Sequence, residues 1–223
     1  MNYTQLSDAI QAYTENTEAD FVAEIPVFVK QAEQRIYNSV QFPSLRKNVT
    51  GVTTASNKYL QCPLDFLAVY SMAVVDGTLE SGTYEYLLNK DVNFIRQAYP
   101  QANATGIPKY YALFGPRSDN EDELTFILGP TPDTTYNVEL HYYYYPESIT
   151  VAANGQTWLG DNFDSVLLYG SLVEAYTFMK GEQDMMALYN GKYQEALAMA
   201  KRLGDGMERQ DAYRSGQYRQ AVT

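Results

Sequence analysis

Apolar residues recur at helical spacing near both ends of the chain, whereas they alternate with polar residues in its middle. The first stripe, with steps of four and three residues, consists of Leu6, Ile10 and Tyr13. It predicts a short amphipathic helix over residues 4–16, for which Thr4 supplies the N-cap. From Thr17 the stripe resumes and predicts a longer second helix, with Pro26 as a kink site.

The C-terminal part of the chain predicts two further helices. The first begins at Asp161 or Asn162, and its apolar side chains cover so much of its surface that it is expected to be mostly buried. The second covers residues 185–203 and presents one apolar stripe. Gly204 and Gly206 follow directly, and they are expected to end it.

Between these helical parts, from about Arg46, the apolar period changes to two, which is typical of β-strands. The predicted strands cover residues 49–54, 58–61, 66–75, 84–88, 109–114, 124–128 and 136–145. The first two are expected to form a hairpin around Ala55-Ser56-Asn57, and Asp91 is expected to cap a short helix over residues 91–99. In the last strand one face is strictly apolar and consists of Tyr136, Val138, Leu140, Tyr142 and Tyr144.

This order of elements predicts an α+β fold, in which the N- and C-terminal helices form a helical bundle with an inserted antiparallel β domain. The expected boundaries are residues 1–45 for the N-terminal helices, 46–158 for the β insert, 159–205 for the C-terminal helices and 206–223 for an extended C-terminal arm. The arm has almost no large aliphatic residues, so we expect it to need a partner before it becomes ordered. With 223 residues the chain is long enough either for one domain or for a helical domain that carries an insert.

Charge is distributed unevenly, with a net value of −11 for the whole chain. Residues 201–223 hold five basic against three acidic side chains, whereas residues 1–200 hold 11 basic against 24 acidic ones. The acidic body argues against general DNA or RNA binding, and the basic tail indicates that the two parts meet different partners. No long apolar run or signal peptide is recognisable, and the single Cys62 excludes an internal disulfide, so a soluble intracellular protein without membrane contact is expected.

Few residues have the pattern of catalytic or metal-binding groups. His141, the single histidine, lies on the polar face of a predicted strand, where a solvent-facing role is favoured over that of a general base. The acidic run Asp119–Glu123 is either a solvated hairpin tip or a cation site, and it lacks the central glycine of calcium loops. One His and one Cys cannot supply a zinc site, and no phosphate-binding glycine loop is present. No catalytic residue, metal or cofactor is therefore predicted.

Tyrosine is the most over-represented side chain, with 21 copies. Tyrosines either fill half-buried strand positions or form protein interfaces, and the sequence leaves both open for most of them. In the tail no core is available to them. The residues that we expect to bind a partner through this arm are Arg209, Tyr213, Arg214, Tyr218 and Arg219.

Several short segments, in this order and spacing, resemble head-to-tail adaptor (connector) proteins of tailed bacteriophages, especially short-tailed ones. The N-terminal segments are Asn2-Tyr3-Thr4-Gln5-Leu6 and Phe28-Val29-Lys30-Gln31-Ala32-Glu33-Gln34-Arg35-Ile36. The central ones are Pro63-Leu64-Asp65-Phe66-Leu67, Gly106-Ile107-Pro108-Lys109-Tyr110-Tyr111, Leu128-Gly129-Pro130-Thr131-Pro132 and Tyr144-Tyr145-Pro146-Glu147. The C-terminal ones are Trp158-Leu159-Gly160 and Leu168-Tyr169-Gly170-Ser171-Leu172-Val173-Glu174-Ala175, so the resemblance extends to about Gly206.

The resemblance implies a non-enzymatic virion protein of the neck or tail, assembled in the host cytoplasm as a homo-oligomeric ring of twelve subunits under the portal. It implies that the C-terminal arm binds the portal protein and that tail or nozzle proteins bind on the distal side. Phage DNA would pass through the channel without sequence-specific binding, for which an acidic wall is suited. A carbohydrate- or receptor-binding tail component, built on the tyrosine-rich sheet, is the alternative. A cell-wall hydrolase is a third and weaker reading, because nothing singles out a pair of carboxylates.

Overall fold

A computed structural model of the protein describes residues 1–101, 103–116 and 123–209, and side chains as far as Gly204. The chain divides into two compact units. A helical unit contains residues 1–45 together with the chain from Tyr145 onward, and a β unit contains Arg46–Tyr144. Residues 145–158, which the sequence pattern assigned to the β insert, thus belong to the helical unit.

In chain order the helices are α1 (Tyr3–Thr14), α2 (Ala19–Ser39), α3 (Val92–Ala98), α4 (Trp158–Asn162), α5 (Asp164–Phe178) and α6 (Gln183–Arg209). The strands are β1 (Arg46–Val52), β2 (Tyr59–Gln61), β3 (Phe66–Asp76), β4 (Thr83–Tyr86), β5 (Leu88–Asn89), β6 (Tyr110–Phe114), β7 (Thr125–Gly129) and β8 (Asn137–Tyr144). The predicted α+β fold, in which helical segments precede and follow an inserted β segment along the chain, is confirmed.

Helix α1 begins one residue earlier than the sequence pattern predicted. Its N-cap is Asn2, whose side chain accepts a hydrogen bond from the backbone N–H of Gln5 at 2.9 Å. The Gln5 side chain accepts one from the backbone N–H of Asn2 at 3.0 Å, which completes a capping box. The prediction that Thr4 is the cap was therefore wrong, because this reciprocal pair satisfies two backbone donors where a threonine cap satisfies one.

Helix α5 lies at the centre of the helical unit and packs against α1, α2 and α6. This confirms the expectation that the two ends of the chain pack on each other. The fully buried apolar side chains include Leu6, Ile10, Phe21, Ile25, Val29, Ala32, Ile36, Leu167, Leu172 and Ala175. Pro26 is accommodated within α2, which continues through it as one helix.

Helix α6 continues through Gly204 and Gly206 to Arg209, so the predicted end of this helix at residue 203 was wrong. Gly204 lies inside the helix and is buried, so it does not have the predicted role of a helix end. A Cβ built there would lie 3.0 Å from the carbonyl oxygen of Gln41 and 3.3 Å from Cγ1 of Val40. Glycine is needed at this point for close packing and not as a helix stop.

The β unit contains two four-stranded sheets, which we call sheet A and sheet B. Sheet A has the order β1-β8-β3-β4 and is antiparallel throughout. Sheet B has the order β2-β7-β6-β5, and in it β5 pairs parallel with β6. The insert is thus mixed and not purely antiparallel. The alternation predicted for β8 is confirmed, since Val138, Leu140 and Tyr142 are buried in the core of the β unit.

The hairpin predicted around Ala55-Ser56-Asn57 was wrong, because β1 and β2 belong to different sheets. Long-range hydrogen bonds hold the segment between them: the N–H of Thr53 donates to the carbonyl of Tyr136, and the N–H of Ser56 donates to that of Pro132. The predicted strand over 84–88 is likewise divided. The N–H of Leu87 donates to Met72 in sheet A, and the next N–H, of Leu88, donates to Lys109 beside sheet B.

Candidate interaction surfaces

The residues predicted to bind a partner through the C-terminal arm lie almost entirely outside the described part of the chain. Arg209 is the last described residue of α6 and lies beyond Gly204, where the described side chains end. Tyr213, Arg214, Tyr218 and Arg219 lie beyond it. The described backbone of α6 is helical as far as Arg209, and this helix packs against α5.

Of the acidic run Asp119–Glu123, only Glu123 belongs to the described residues. The charge of Glu123 acts on Cys62, a residue that is 5% exposed. Burial, and to a smaller extent the charge of Glu123, raises the pKa of Cys62 to about 12. The thiol is therefore protonated at neutral pH, which excludes it as a nucleophile in the folded protein.

His141 lies on the outer face of sheet A, as predicted, and it has a hydroxyl neighbour that the sequence did not reveal. Its Nδ1 is 3.0 Å from Oγ of Ser71 on the adjacent β3, and its Nε2 is 3.9 Å from a carboxylate oxygen of Glu139. The pair arises because Ser71 and His141 are direct partners in the antiparallel register. The imidazole is 40% exposed in its side chain, and Glu139 is on the far nitrogen at a long distance, so the contact fits a surface hydrogen bond between strands.

The described residues contain neither a cluster of metal-ligand side chains nor a helix that could span a membrane. Among them no group of three or more His, Cys, Asp or Glu side chains is close enough to hold a metal ion. The helices, as far as they are described, include none that is both long and apolar enough to span a bilayer.

A cationic and aromatic cluster covers the outer face of sheet A at the start of β1. The guanidinium of Arg46 lies 4.7 Å from the ring centre of Tyr70 and 5.6 Å from that of Tyr143. The two rings meet edge to face at 6.0 Å. Such contacts stabilise a partly desolvated arginine by cation–π attraction. Tyr70 remains 54% exposed, so the cluster leaves aromatic surface open to solvent.

A second polar cluster lies on the opposite face of the same strands. The ammonium of Lys47 is 2.8 Å from one carboxylate oxygen of Asp65, and the hydroxyl of Tyr142 donates to the other at 2.8 Å. The hydrogen bond to Asp65 raises the pKa of Lys47. Burial alone would raise the pKa of Asp65, but the two hydrogen bonds outweigh it and lower that pKa. The cluster therefore keeps one positive and one negative charge at this end of β1.

In the helical unit, a buried carboxylate holds the segment by which the chain re-enters the bundle. Glu33 on α2 is 3% exposed and accepts a hydrogen bond from the backbone N–H of Ile149 at 2.9 Å. Burial raises the pKa of Glu33, and the hydrogen bonds from Ile149 and Ser148 only partly counteract it. Nearby, the Tyr145 hydroxyl donates to the side-chain oxygen of Asn38. These contacts are structural, and no pattern in the sequence predicts them.

Other helical charges are also paired within the unit. Arg35 of α2 forms an ion pair with Glu174 of α5, and its guanidinium lies 5.8 Å from the ring centre of Tyr193 on α6. Three helices are thereby joined through one side chain. The outer side of α6 instead exposes Leu188, Met199 and Leu203, which is apolar surface suited to a protein partner.

A family model described as "SU10 adaptor protein" matches residues 1–220, which is almost the whole chain. No curated protein matches the sequence.

Proposed function

The chain belongs to the SU10 adaptor protein family, a family of structural phage proteins, and from that premise we propose that it forms a ring below the portal, extends the DNA channel and connects the head to the tail. The observation that carries this proposal is the extent of the family match, since it includes both the helical unit and the β insert. We further propose that the ring has twelve subunits, belongs to a short-tailed phage and has no enzymatic activity.

The charge of the chain supports a role as a conduit for DNA. Residues 1–200 carry 24 acidic against 11 basic side chains, so a channel wall built from them has few cations with which to bind phosphates. Like charge keeps a duplex from adhering to the wall during packaging and ejection. Passage without sequence-specific contact is the expected consequence.

We assign attachment to the portal to the C-terminal arm. Arginine and tyrosine often dominate the energy of protein interfaces, and the arm has two spaced Tyr-Arg pairs, Tyr213-Arg214 and Tyr218-Arg219, after Arg209. Because α6 is helical as far as Arg209, the arm starts from a fixed point on the bundle. Binding of a segment with so few apolar residues would order it, and the contacts must offset that entropy.

We assign contact with tail proteins to the β6–β7 hairpin. Leu113 and Phe114 at the end of β6 are both exposed, although they are among the larger apolar side chains of the β unit. Exposed apolar residues next to a loop are typical of surfaces that another protein covers. This assignment gives the tail proteins a contact surface in the β unit, whereas the portal contact is assigned to the arm.

The experiment that tests the function is a measurement of particle mass with and without the portal protein of the same phage. We expect the purified chain and portal to form one complex whose mass fits a ring of adaptor subunits on the portal. Class averages by electron microscopy should show additional density below the portal. A monomer or trimer that never binds portal would reject the proposal.

The exposed tyrosines of sheet A favour one alternative, a carbohydrate-binding tail component. Tyr70 and Tyr86 are 54% and 67% exposed, and aromatic rings of this kind stack on sugars. Binding to host-surface glycans by the wild-type chain, lost when both tyrosines are changed to serine, would support this alternative. Absence of glycan binding, together with a portal complex, would reject it.

A further inference from the structure

Sheet A ends in two edge strands, β1 and β4. β1 is seven residues long, and six of these residues are exposed. β4 is four residues long, and all but Tyr84 are exposed. Within the described residues neither strand contains a proline, and neither pairs with a further strand on its outer side.

An unpaired strand edge of this kind is a site at which a further strand can be added. Natural sheets protect their edges with proline, bulges, very short strands or cover by another element, because an unpaired row of N–H and C=O groups invites a further strand. The C-terminal five residues of β1, from Asn48 to Val52, include no charged side chain. Its register with β8 runs without a bulge along the whole strand. β1 is therefore a flat and receptive edge.

The direction of the strands makes β4 of a second copy a suitable partner for β1. Each neighbouring pair in sheet A is antiparallel, so β1 and β3 run one way while β8 and β4 run the other. If β4 of one copy lies beside β1 of the next in the same orientation, the new pair is again antiparallel. The alternation then continues from copy to copy, and each copy uses one edge to receive and the other to donate.

The side chains select one register for such a pair. In sheet A, Arg46 and Tyr86 share the outer face, whereas Lys47 and Glu85 share the core face. Two registers keep these faces and pair all four residues of β4. One places β4 against residues 46–49, with Tyr86 opposite Arg46 and Glu85 opposite Lys47. The other places it against residues 48–51, where no opposite charges meet.

We propose that sheet A continues from subunit to subunit, with β4 of one copy paired antiparallel to β1 of the next in the register that joins Glu85 to Lys47 and Tyr86 to Arg46. The proposal rests on the ring of the proposed function and names the contact that closes it. Opposite charges and an arginine over an aromatic ring are favourable cross-strand pairs. A contact between two different surfaces of the same protein is heterologous, and it forms a closed ring when the rotation between copies closes.

Disulfide cross-linking tests the register directly. In a Cys62→Ala background, Val49→Cys and Thr83→Cys place two cysteines opposite each other in the proposed register. Both native side chains are exposed, so neither substitution disturbs a core. We expect oxidation of assembled particles to give a ladder of dimers, trimers and larger species on a denaturing gel. An isologous contact, for example β1 with β1 of a partner, would stop at dimers and overturn the proposal.

The matched control is Gly51→Cys with Thr83→Cys, which samples the other face-preserving register. A Cβ at Gly51 meets nothing within 4 Å, so the variant has room for the cysteine. We expect this pair to give at most a tenth of the cross-linking of the first pair. A stronger ladder from Gly51 than from Val49 would overturn the proposed register.

A charge variant supplies an independent measurement. We expect Glu85→Lys, which faces Lys47 across the contact, to raise the protein concentration needed for half assembly at least tenfold. Glu80→Lys makes the same charge change in an exposed turn outside β4 and should leave that concentration within twofold. Equal effects of the two variants would show that net charge, and not the strand contact, controls assembly.

The results separate this inference from the proposed function. A ring that binds portal but gives no ladder from Val49 and Thr83 overturns the strand contact and leaves the adaptor function intact. A ladder without any portal complex supports the strand contact and rejects the portal function. Absence of both rejects both.

Discussion

Glu33 and Ile149 lie 116 residues apart in the chain, yet the carboxylate of Glu33 accepts the backbone N–H of Ile149 at 2.9 Å inside the helical unit. The contact lies where the chain, having formed the β unit, returns to the bundle. It closes the longest excursion of the sequence with a buried acid, which is 3% exposed. A buried carboxylate stabilises a fold only as far as its hydrogen bonds offset its desolvation.

The first prediction concerns the charge of Glu33. Burial raises its pKa, so the folded state holds the proton more tightly than the unfolded state does. The stabilisation from this group is complete below the unfolded pKa and is lost as pH rises through the folded pKa. Glu33→Gln keeps an acceptor for Ile149 and has no charge to bury. We therefore expect it to be more stable than wild type at pH 7, with a smaller advantage at pH 4.

Glu33→Ala is the contrasting variant. It leaves the buried N–H of Ile149 without a hydrogen-bond acceptor, which should lower the free energy of unfolding by about 1–3 kcal/mol. Urea titrations of the three proteins at both pH values measure these differences. If Glu33→Gln were as destabilised as Glu33→Ala, the charge itself would be required and the assignment would be wrong.

The second prediction compares two glycines of the same helix, α6. A Cβ at Gly204 would lie 3.0 Å from the backbone oxygen of Gln41, whereas one at Gly191 meets nothing within 4 Å. Alanine is about 1 kcal/mol better than glycine in an exposed helix interior, so Gly191→Ala should stabilise the protein. Gly204→Ala gains the same propensity but forces backbone atoms apart, at a typical cost of about 1–3 kcal/mol.

We expect Gly204→Ala to be less stable than wild type and about 2 kcal/mol less stable than Gly191→Ala. Thermal unfolding followed by circular dichroism measures the difference. Stabilisation by both alanines would indicate that the end of α2 can move away from α6, and the close packing would then have no role.

The features of this fold differ in how well the sequence predicts them. Helices and strands were predictable because apolar periodicity reflects local geometry: the stripe of α2 and the alternation of β8 both match the structure. Gly204 was misread as a helix end because glycine has two uses, and only the neighbouring Gln41 decides between them. A single sequence does not show which distant residue will be the neighbour.

The pairing of the strands could not be predicted from the sequence for the same reason. The turn-like Ala55-Ser56-Asn57 suggested a hairpin, but bonds from Thr53 to Tyr136 and from Ser56 to Pro132 direct β1 and β2 into separate sheets. Likewise, His141 was placed on the correct face, while its neighbour Ser71 follows from a register that includes two irregularities in β3. The predicted arm residues stay predictions, because nearly all of them lie outside the described chain.

The third prediction concerns Cys62. Its pKa, raised to about 12 chiefly by burial, leaves almost no thiolate at pH 8, and its side chain lies in the core of the β unit. We expect iodoacetamide to modify it at least a hundredfold more slowly than a free cysteine in native buffer, and at the ordinary rate in guanidinium chloride. Fast modification of the native protein, measured by mass spectrometry, would contradict the buried position.

The last prediction separates attachment from folding. A chain that ends at Arg209 retains all of α6, including the packing of Gly204 on Gln41, and lacks only residues 210–223. We expect its melting temperature to stay within about 2 °C of the full chain, since every described core residue of the body is retained. Portal binding should fall at least a hundredfold, because the paired Tyr213-Arg214 and Tyr218-Arg219 are lost.

Point variants in the full chain then identify the side chains that matter. Tyr213→Ala with Tyr218→Ala should reproduce most of the loss of portal binding, since truncated interface tyrosines commonly cost about 2 kcal/mol each. Gln210→Ala with Gln217→Ala, the matched control in the same segment, should bind portal within threefold of wild type. Biolayer interferometry on immobilised portal measures all four proteins. A truncated chain that binds portal with undiminished affinity would show that the body makes the attachment, and the exposed Leu188, Met199 and Leu203 of α6 would then be the surface to test next.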